Sequence, residues 1–398
     1  MTAPFLQSKL PRVGTTVFSV MSALAAEHKA INLGQGFPDF DCDPRLIDAV
    51  TVAMKTGHNQ YPLMTGVPFL RQHVAAKVEA LHGVTYDANT EVTITAGATQ
   101  GMLSAILAVV RSGDEVIVLE PCYDSYIPNI ELAGGVAVPV PLMAGTFAPD
   151  FAAIAAAITP KTRAIIVNSP HNPSGRVWTA AQWETLADLM AKRGMWLLSD
   201  EVYEHMVFDG AAHQSAALNP RLRERAFIIS SFCKTFHVTG WKLGTVCAPA
   251  ALTVEFRKVH QYTVFTANSA MQHGIAEYLN DPAPYLKLPA FYQAKRDRFA
   301  AGLAGTKLRL LPCEGSYFQC VSYADVPALR DLTERAASEW LTSEIGVTPI
   351  PLSAFCSTPT EQHTLRFCFA KTEATLDAAL LRLAKLGHAS VGRVSAAR

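Results

Sequence analysis

Apolar positions along this chain follow two rhythms that trade places for most of its length. Short β-branched runs predict strands at Val92 to Thr95, Glu115 to Leu119, Val136 to Val140, Ala164 to Asn168, Met195 to Ser199, Ala226 to Ile229 and Leu243 to Ala248. Longer stretches with helical spacing separate them, at Ala98 to Val110, Ser125 to Leu132, Asp150 to Ile158 and Ala180 to Lys192. Alternation of this kind reads as an α/β fold, a mainly parallel sheet flanked by helices, with ligand sites beyond the carboxyl ends of its strands. Two helical patterns, Pro44 to Lys55 and Val67 to Leu81, precede the first strand and enclose the polar, aromatic turn Asn59 to Gly66. Beyond Gln261 the alternation stops. Helices at Ser269 to Leu279, Tyr285 to Leu303, Asp331 to Glu344 and Glu373 to Leu386 mix with strands at Leu308 to Leu311, Ser316 to Val321, Val347 to Pro349 and Leu365 to Ala370, which suggests a smaller α+β unit. The residues after Gly387 read as frayed.

Length and charge narrow the picture. At 398 residues the chain exceeds the size at which one core usually stops growing. Lysine plus arginine and aspartate plus glutamate number 34 each, so no basic footprint for nucleic acid or membrane is present. Cysteines 42, 122, 233, 247, 313, 320, 356 and 368 show no CxxC pair, a pattern of reduced thiols in a cytoplasmic protein. Lys9 and Arg12 before the apolar stretch Val17 to Ala26 imitate a secretory leader. Ser19 and Ser22 interrupt it, however, and Phe18, Met21, Leu24 and Ala25 fall on one helical face, so an amphipathic helix is the better reading.

Candidate chemistry gathers just after the strands. In Ser230-Ser231-Phe232-Cys233-Lys234, a lysine follows hydroxyls, and Lys242 lies eight residues on between glycines 240 and 244. Such a lysine suits Schiff-base formation with a carbonyl cofactor whose attached anion the neighbours hold. Gly97-Ala98-Thr99 joins a strand to a helix and offers amides and a hydroxyl to a phosphate. Asp200 and Tyr203 end another strand in a D-x-x-Y spacing; the carboxylate either pairs with a protonated ring nitrogen or caps the next helix. Asn172, in the turn-rich loop Asn168 to Gly175, can point a neutral amide into a site. Tyr123 either lies flat on an aromatic ring or packs as a core tyrosine. Arg366, between apolar neighbours, needs an anion, either a substrate carboxylate or a structural partner.

Taken in order, this set of motifs resembles the class I/II aminotransferases, which have the fold-type-I architecture and use pyridoxal 5′-phosphate (PLP). The wordings INLGQGFPDFD, NQYPLMTGV, SPHNPSG, SDEVYEH, TGWKLG and LPCEGSYF are most similar to the methionine and kynurenine branch. The resemblance implies an N-terminal arm with part of a small domain at 1–45, a large PLP-binding domain at 46–280 and a C-terminal small domain at 281–390. It also implies roles. Lys234 bonds the cofactor aldehyde, Asp200 pairs with the ring nitrogen, Tyr203 and Asn172 bond the ring oxygen, and Tyr123 stacks on the ring. Gly97, Ala98, Thr99, Ser231 and Lys242 hold the phosphate, and Tyr61 reaches in from the second subunit of a homodimer. Arg366 and Gly36, with Asn172, receive the substrate carboxylate. Two positions depart from the common pattern: Lys242 stands where many relatives carry arginine, and Cys233 where serine is frequent.

The activity so implied is ping-pong transamination between an amino acid and a 2-oxo acid. A PLP-dependent cysteine-conjugate C–S β-lyase shares the same pocket and is the alternative. A nucleotide-binding α/β protein is disfavoured by the lack of GxGxxG and GxxxxGK[ST], and a PLP-fold regulator by the lack of room for a DNA-binding domain before Val17. With no second arginine in view and Phe18, Phe37, Tyr61 and Phe265 as candidate pocket walls, methionine and aromatic donors are expected over aspartate.

Overall fold

The computed structural model describes residues 6–358 and 360–387, so the expected fraying after Gly387 lies outside the described residues. Seven strands form one sheet in the order Val92–Thr95, Gly244–Cys247, Ala226–Ser230, Trp196–Asp200, Thr162–Asn168, Glu115–Glu120, Val136–Pro141. Every pairing is parallel except the two made by Gly244–Cys247, which runs against both its neighbours. All seven expected strands are present within a residue or two of their sequence limits. Their inner members are buried along nearly their whole length, because helices cover both faces. On one face, helices Ala98–Val109 and Ala250–Thr263 pack together, with Met102, Ile106, Leu252 and Phe256 facing strand residues Val116, Ile166 and Phe227. Trp183, Leu186 and Met190 of helix Ala180–Ala191 cover the other, and a reciprocal Thr179–Gln182 capping box starts that helix.

A second sheet of four antiparallel strands runs Ile350–Pro351, Thr364–Cys368, Phe318–Ser322, Arg309–Leu310. The N-terminal chain is stitched to this region. Ile31–Asn32 pairs in parallel with Val347–Thr348, and the amide of Cys368 donates to the Leu33 carbonyl at 2.7 Å. Helix Val17–Glu27 packs there too, through Met21, Ala25 and half-buried Phe18 and Leu24, the face its spacing predicts. One continuous apolar cluster joins Ile94 and Leu243 near the edge of the large sheet to Tyr317, Val321 and Phe367 of the small one.

Three expectations change. Helix Ala250–Thr263 was not expected, because its buried face includes Thr253 and His260, which break the apolar period. The single strand expected at Val347 to Pro349 is two, Val347–Thr348 and Ile350–Pro351, in different sheets. The helix expected over Tyr285 to Leu303 is divided at Lys287 into Ala283–Leu286 and Leu288–Gly302, with a proline in the first turn of the second.

Candidate active site

A pocket of about 390 Å³ opens where the carboxyl ends of the large sheet's strands meet the N-terminal segment and the small sheet. Its lining includes Gly36, Gly97, Ala98, Thr99, Tyr123, Asn172, Asp200, Tyr203, Ser231, Lys234, Lys242 and Arg366, drawn from residues 36 to 366 of the chain. Phe18, Phe37 and Phe318 supply apolar wall, and Asp124 adds a carboxylate.

One end of the pocket is built for an anion. Helix Ala98–Val109 starts there, and its N-cap is Gly97 at φ 82°, which has no side chain to satisfy the first amides. Lys242, itself left-handed at φ 56°, runs alongside, so that a Cβ on residue 97 would stand 3.4 Å from its Cε. Gly244 permits this closeness. A Cβ there would meet the Ser230 carbonyl oxygen at 2.8 Å and the Ala98 nitrogen at 2.9 Å. Ser231 faces the pocket, whereas the Ser230 hydroxyl turns away to donate to Glu204 in a buried group with Lys77. Cys233 exchanges weak hydrogen bonds with the Leu243 backbone, which ties the lysine loop to the reversed strand.

The middle of the pocket holds an acid and a base of altered strength. Asp200 ends strand Trp196–Asp200 and accepts from the Tyr126 hydroxyl at 2.5 Å and from the Val202 amide at 3.3 Å. Burial outweighs these donors and raises its carboxyl from 3.8 to about 6. Asn168 fixes the neighbouring loop: its amide donates to the Asp200 carbonyl at 2.8 Å, while its side-chain oxygen accepts from the Asn172 amide at 2.7 Å. Lys234 sits on the single turn Phe232–Thr235 that follows strand Ala226–Ser230. Its Nζ donates to Tyr317 Oη at 3.0 Å and to the Gly36 carbonyl at 3.3 Å. Burial lowers its ammonium from 10.5 to about 8. Burial also raises the phenol of Tyr203, whose ring meets that of Tyr317 edge-on at 5.1 Å.

At the far end Arg366 is 1 % exposed on strand Thr364–Cys368. It donates to Asn172 Oδ1 at 3.0 Å and to the Gly34 carbonyl, and Phe318 lies 4.1 Å beneath its guanidinium. Among the described residues no carboxylate bridges it, and its Nε has no partner. A guest carboxylate satisfies both needs.

Of the residues singled out in sequence, Tyr61 and Phe265 do not line this pocket. They pack edge-on against each other at 5.4 Å, 82 % and 41 % exposed. Tyr126, Asn168 and Tyr317 belong to the site but were not singled out. Tyr126 lies three residues after Tyr123, a spacing that carried the signal, and Asn168 opens a loop already marked by Asn172.

The family described as aminotransferase class I and II matches residues 28–383. The chain belongs to this family. It is 48 % identical over 381 residues to the methionine aminotransferase of Escherichia coli (strain K12), covering 96 % of this chain and 98 % of that protein. A solved structure of an Escherichia coli methionine aminotransferase, 47 % identical, superposes with a TM-score of 0.94 over 96 % of this chain and 100 % of that one. A probable N-succinyldiaminopimelate aminotransferase of Mycobacterium tuberculosis (strain H37Rv) is 41 % identical over 96 % of this chain and 98 % of that protein. Kynurenine–oxoglutarate transaminase 3 of Rattus norvegicus is 35 % identical over 91 % and 86 %. The fold is thus that of the fold-type-I transferases and the chain is an aminotransferase; none of these relatives is named as a lyase. The family works with PLP, and the residues here fit that group: an uncapped helix start beside Lys242 for a phosphate, a buried carboxylate with only neutral donors for a ring cation, and a perturbed lysine in the same pocket.

Proposed function

We propose that this aminotransferase moves the amino group of methionine, and of aromatic donors including kynurenine, to a 2-oxo acid by ping-pong kinetics with PLP as cofactor. The observation that carries the donor choice is the charge inventory of the pocket. Its cations are Lys234, Lys242 and Arg366, each with a task in the common chemistry, and the substrate end otherwise offers Phe18, Phe37 and Phe318 with the neutral Gln35 and with Asp124. Burying a methionine or phenylalanine side chain there is worth roughly 1.5–3 kcal/mol, or about tenfold or more in preference. A side-chain carboxylate entering the same space is desolvated without a partner and faces Asp124. The name of the Mycobacterium tuberculosis relative points to a donor with such an extra carboxylate, for which this lining offers no cation.

In this reading Gly97, Ala98, Thr99, Ser231 and Lys242 grip the phosphate, Tyr123 covers the ring face, Tyr203 and Asn172 bond the ring oxygen, and Asp200 keeps the ring nitrogen protonated. Bound there, PLP supplies an electron sink for charge developing at the substrate Cα. Lys234, with an ammonium that titrates near 8, is neutral often enough near neutral pH to take the Cα proton and return it. Arg366 and the Gly36 backbone hold the α-carboxylate, with Asn172 beside them, and thereby aim the Cα–H bond at Lys234. The active unit is a homodimer in which the exposed Tyr61 enters the neighbouring protomer's pocket. The division into a large domain at 46–280 and a small one at 281–390, with the arm 1–45 joined to the latter, belongs to the same reading and is supported by the separate seven- and four-stranded sheets and by the pairing of Ile31–Asn32 with Val347–Thr348. A cytoplasmic site is proposed with it, supported by eight free cysteines.

A panel of amino donors and oxo-acid acceptors, followed by PLP absorbance, tests the proposal. Methionine should exceed aspartate in kcat/KM by well over an order of magnitude. Efficient aspartate turnover overturns the donor assignment, and pyruvate and thiol released from cysteine conjugates at a rate above amino transfer overturns the reaction.

A further inference from the structure

One buried phenol with no task in the reaction described above is in hydrogen-bond contact with the proton carrier itself. Tyr317 is fully buried at the start of strand Phe318–Ser322 and 83 positions from Lys234 in sequence. Its hydroxyl lies 3.0 Å from Lys234 Nζ and donates to the Gly36 carbonyl at 2.6 Å. The phenol has one proton, and the shorter contact claims it, so the same oxygen accepts from the amine. Lys234 Nζ also reaches the Gly36 carbonyl at 3.3 Å. A neutral amine has two N–H bonds and one lone pair. Tyr317 Oη and the Gly36 carbonyl together take both N–H bonds and leave the lone pair as the uncommitted site, the state a base needs.

We infer that Tyr317 is a positioning residue: it stations the free Lys234 amine against the Gly36 carbonyl, lone pair uncommitted, whenever the lysine is not bonded to the cofactor. The inference rests on the proposed role of Lys234 as proton carrier. It also gives a reason for a tyrosine at this point, since packing alone asks only for the ring. That ring meets Tyr203 at 5.1 Å, Phe318 at 4.7 Å and Tyr292 at 5.7 Å, contacts that phenylalanine keeps. Because one hydroxyl touches both the proton carrier and the Gly36 segment, it registers the base to the loop that receives substrate.

Tyr317→Phe is the test, read in three ways. With methionine, kcat should fall roughly two- to tenfold, the scale of a lost hydrogen bond between neutral groups. The α-deuterium isotope effect on kcat should rise, because proton transfer becomes more limiting. In cofactor-free protein, Lys234 should undergo reductive methylation severalfold faster than in wild type, as measured on its peptide by mass spectrometry, since the amine has lost its tether. Unchanged isotope effect and unchanged Lys234 reactivity overturn the inference, as does a change confined to KM or to melting temperature, which marks a packing role. If Tyr317→Phe does not fold, fluorotyrosine at 317 keeps the shape and alters only the phenol; an isotope effect and Lys234 reactivity equal to wild type then overturn the inference equally. Lys234→Ala run in parallel separates the two readings. Transamination surviving in Lys234→Ala removes the proton-carrier role itself, whereas an inactive Lys234→Ala beside a normal Tyr317→Phe removes only the tyrosine's part.

Discussion

Asp200→Asn should make the cofactor-free protein more stable while destroying its use of the cofactor. The carboxylate is buried with two neutral donors, Tyr126 and the Val202 amide, and no cation bonded to it. Its ionisation is displaced from 3.8 to about 6, which is about two units, so ionising it in the folded chain costs roughly 3 kcal/mol relative to the unfolded chain. The sign follows from proton uptake. Between these two values the folded state binds more protons than the unfolded one, so stability is fullest below pH 3.8 and falls as pH rises through about 6. Asparagine keeps an oxygen for the Tyr126 hydroxyl, gives up only the longer 3.3 Å bond from the Val202 amide, and carries no charge to bury. With an unfolding entropy of roughly 2 cal/mol/K per residue, 3 kcal/mol in a chain of this length is about 3–4 °C of melting temperature. Thermal melts of both cofactor-free proteins at pH 4, 5, 6, 7 and 8 read the difference. The variant's advantage should open between pH 4 and 6 and stay constant above 7, while its affinity for PLP falls. A difference independent of pH, or a wild type more stable at pH 8, refutes the argument that the buried carboxylate is held in wait for a cation.

Arg366→Lys should lower kcat/KM for every donor alike, by tenfold or more, since it removes the bidentate grip on a carboxylate that all share; steady-state kinetics on methionine, phenylalanine and glutamine check this, and a loss confined to one donor contradicts it. Tyr126→Phe should weaken PLP binding and move the pH dependence of the bound cofactor's absorbance, because it leaves Asp200 with the Val202 amide as its one remaining donor bond. Mixing Tyr61→Phe with Lys234→Ala protein should, after subunit exchange, yield activity above that of the Lys234→Ala parent and of unexchanged Tyr61→Phe. An active monomer in sedimentation contradicts the shared site.

The inner strands of the large sheet were legible because burial on both faces demands short, mostly apolar runs, and they alternate with helical stretches. The chemistry was legible for a related reason. Asp200, Asn172 and Lys234 each follow such a run closely, so a local signal places each at the sheet's carboxyl edge. Helix Ala250–Thr263 has no clean apolar period because it buries His260, which bonds Gln100 and the Met64 carbonyl. Tyr317 was hidden by distance. Its partners, Gly36 and Lys234, lie 281 and 83 positions away, and only the pairing of the small sheet with the N-terminal segment brings them together. Lys242 and the hydroxyls before Lys234 were legible as anion holders from their spacing, and the choice of Ser231 among them came from the resemblance. The physical basis of their placement, a glycine at 244 that lets the reversed strand cross against the amides of the anion loop, is a tertiary fact that no periodicity contains.

Lys234 is proposed as the one lysine that bonds the cofactor. Reconstituting the full chain with PLP, reducing it with borohydride, and mapping the fixed label by peptide mass spectrometry reads that claim directly. The label should appear on the peptide carrying Lys234, in amount equal to the bound cofactor, and Lys234→Ala should fix none. Label on Lys242, Lys371 or any other lysine, or label retained by Lys234→Ala, would contradict it.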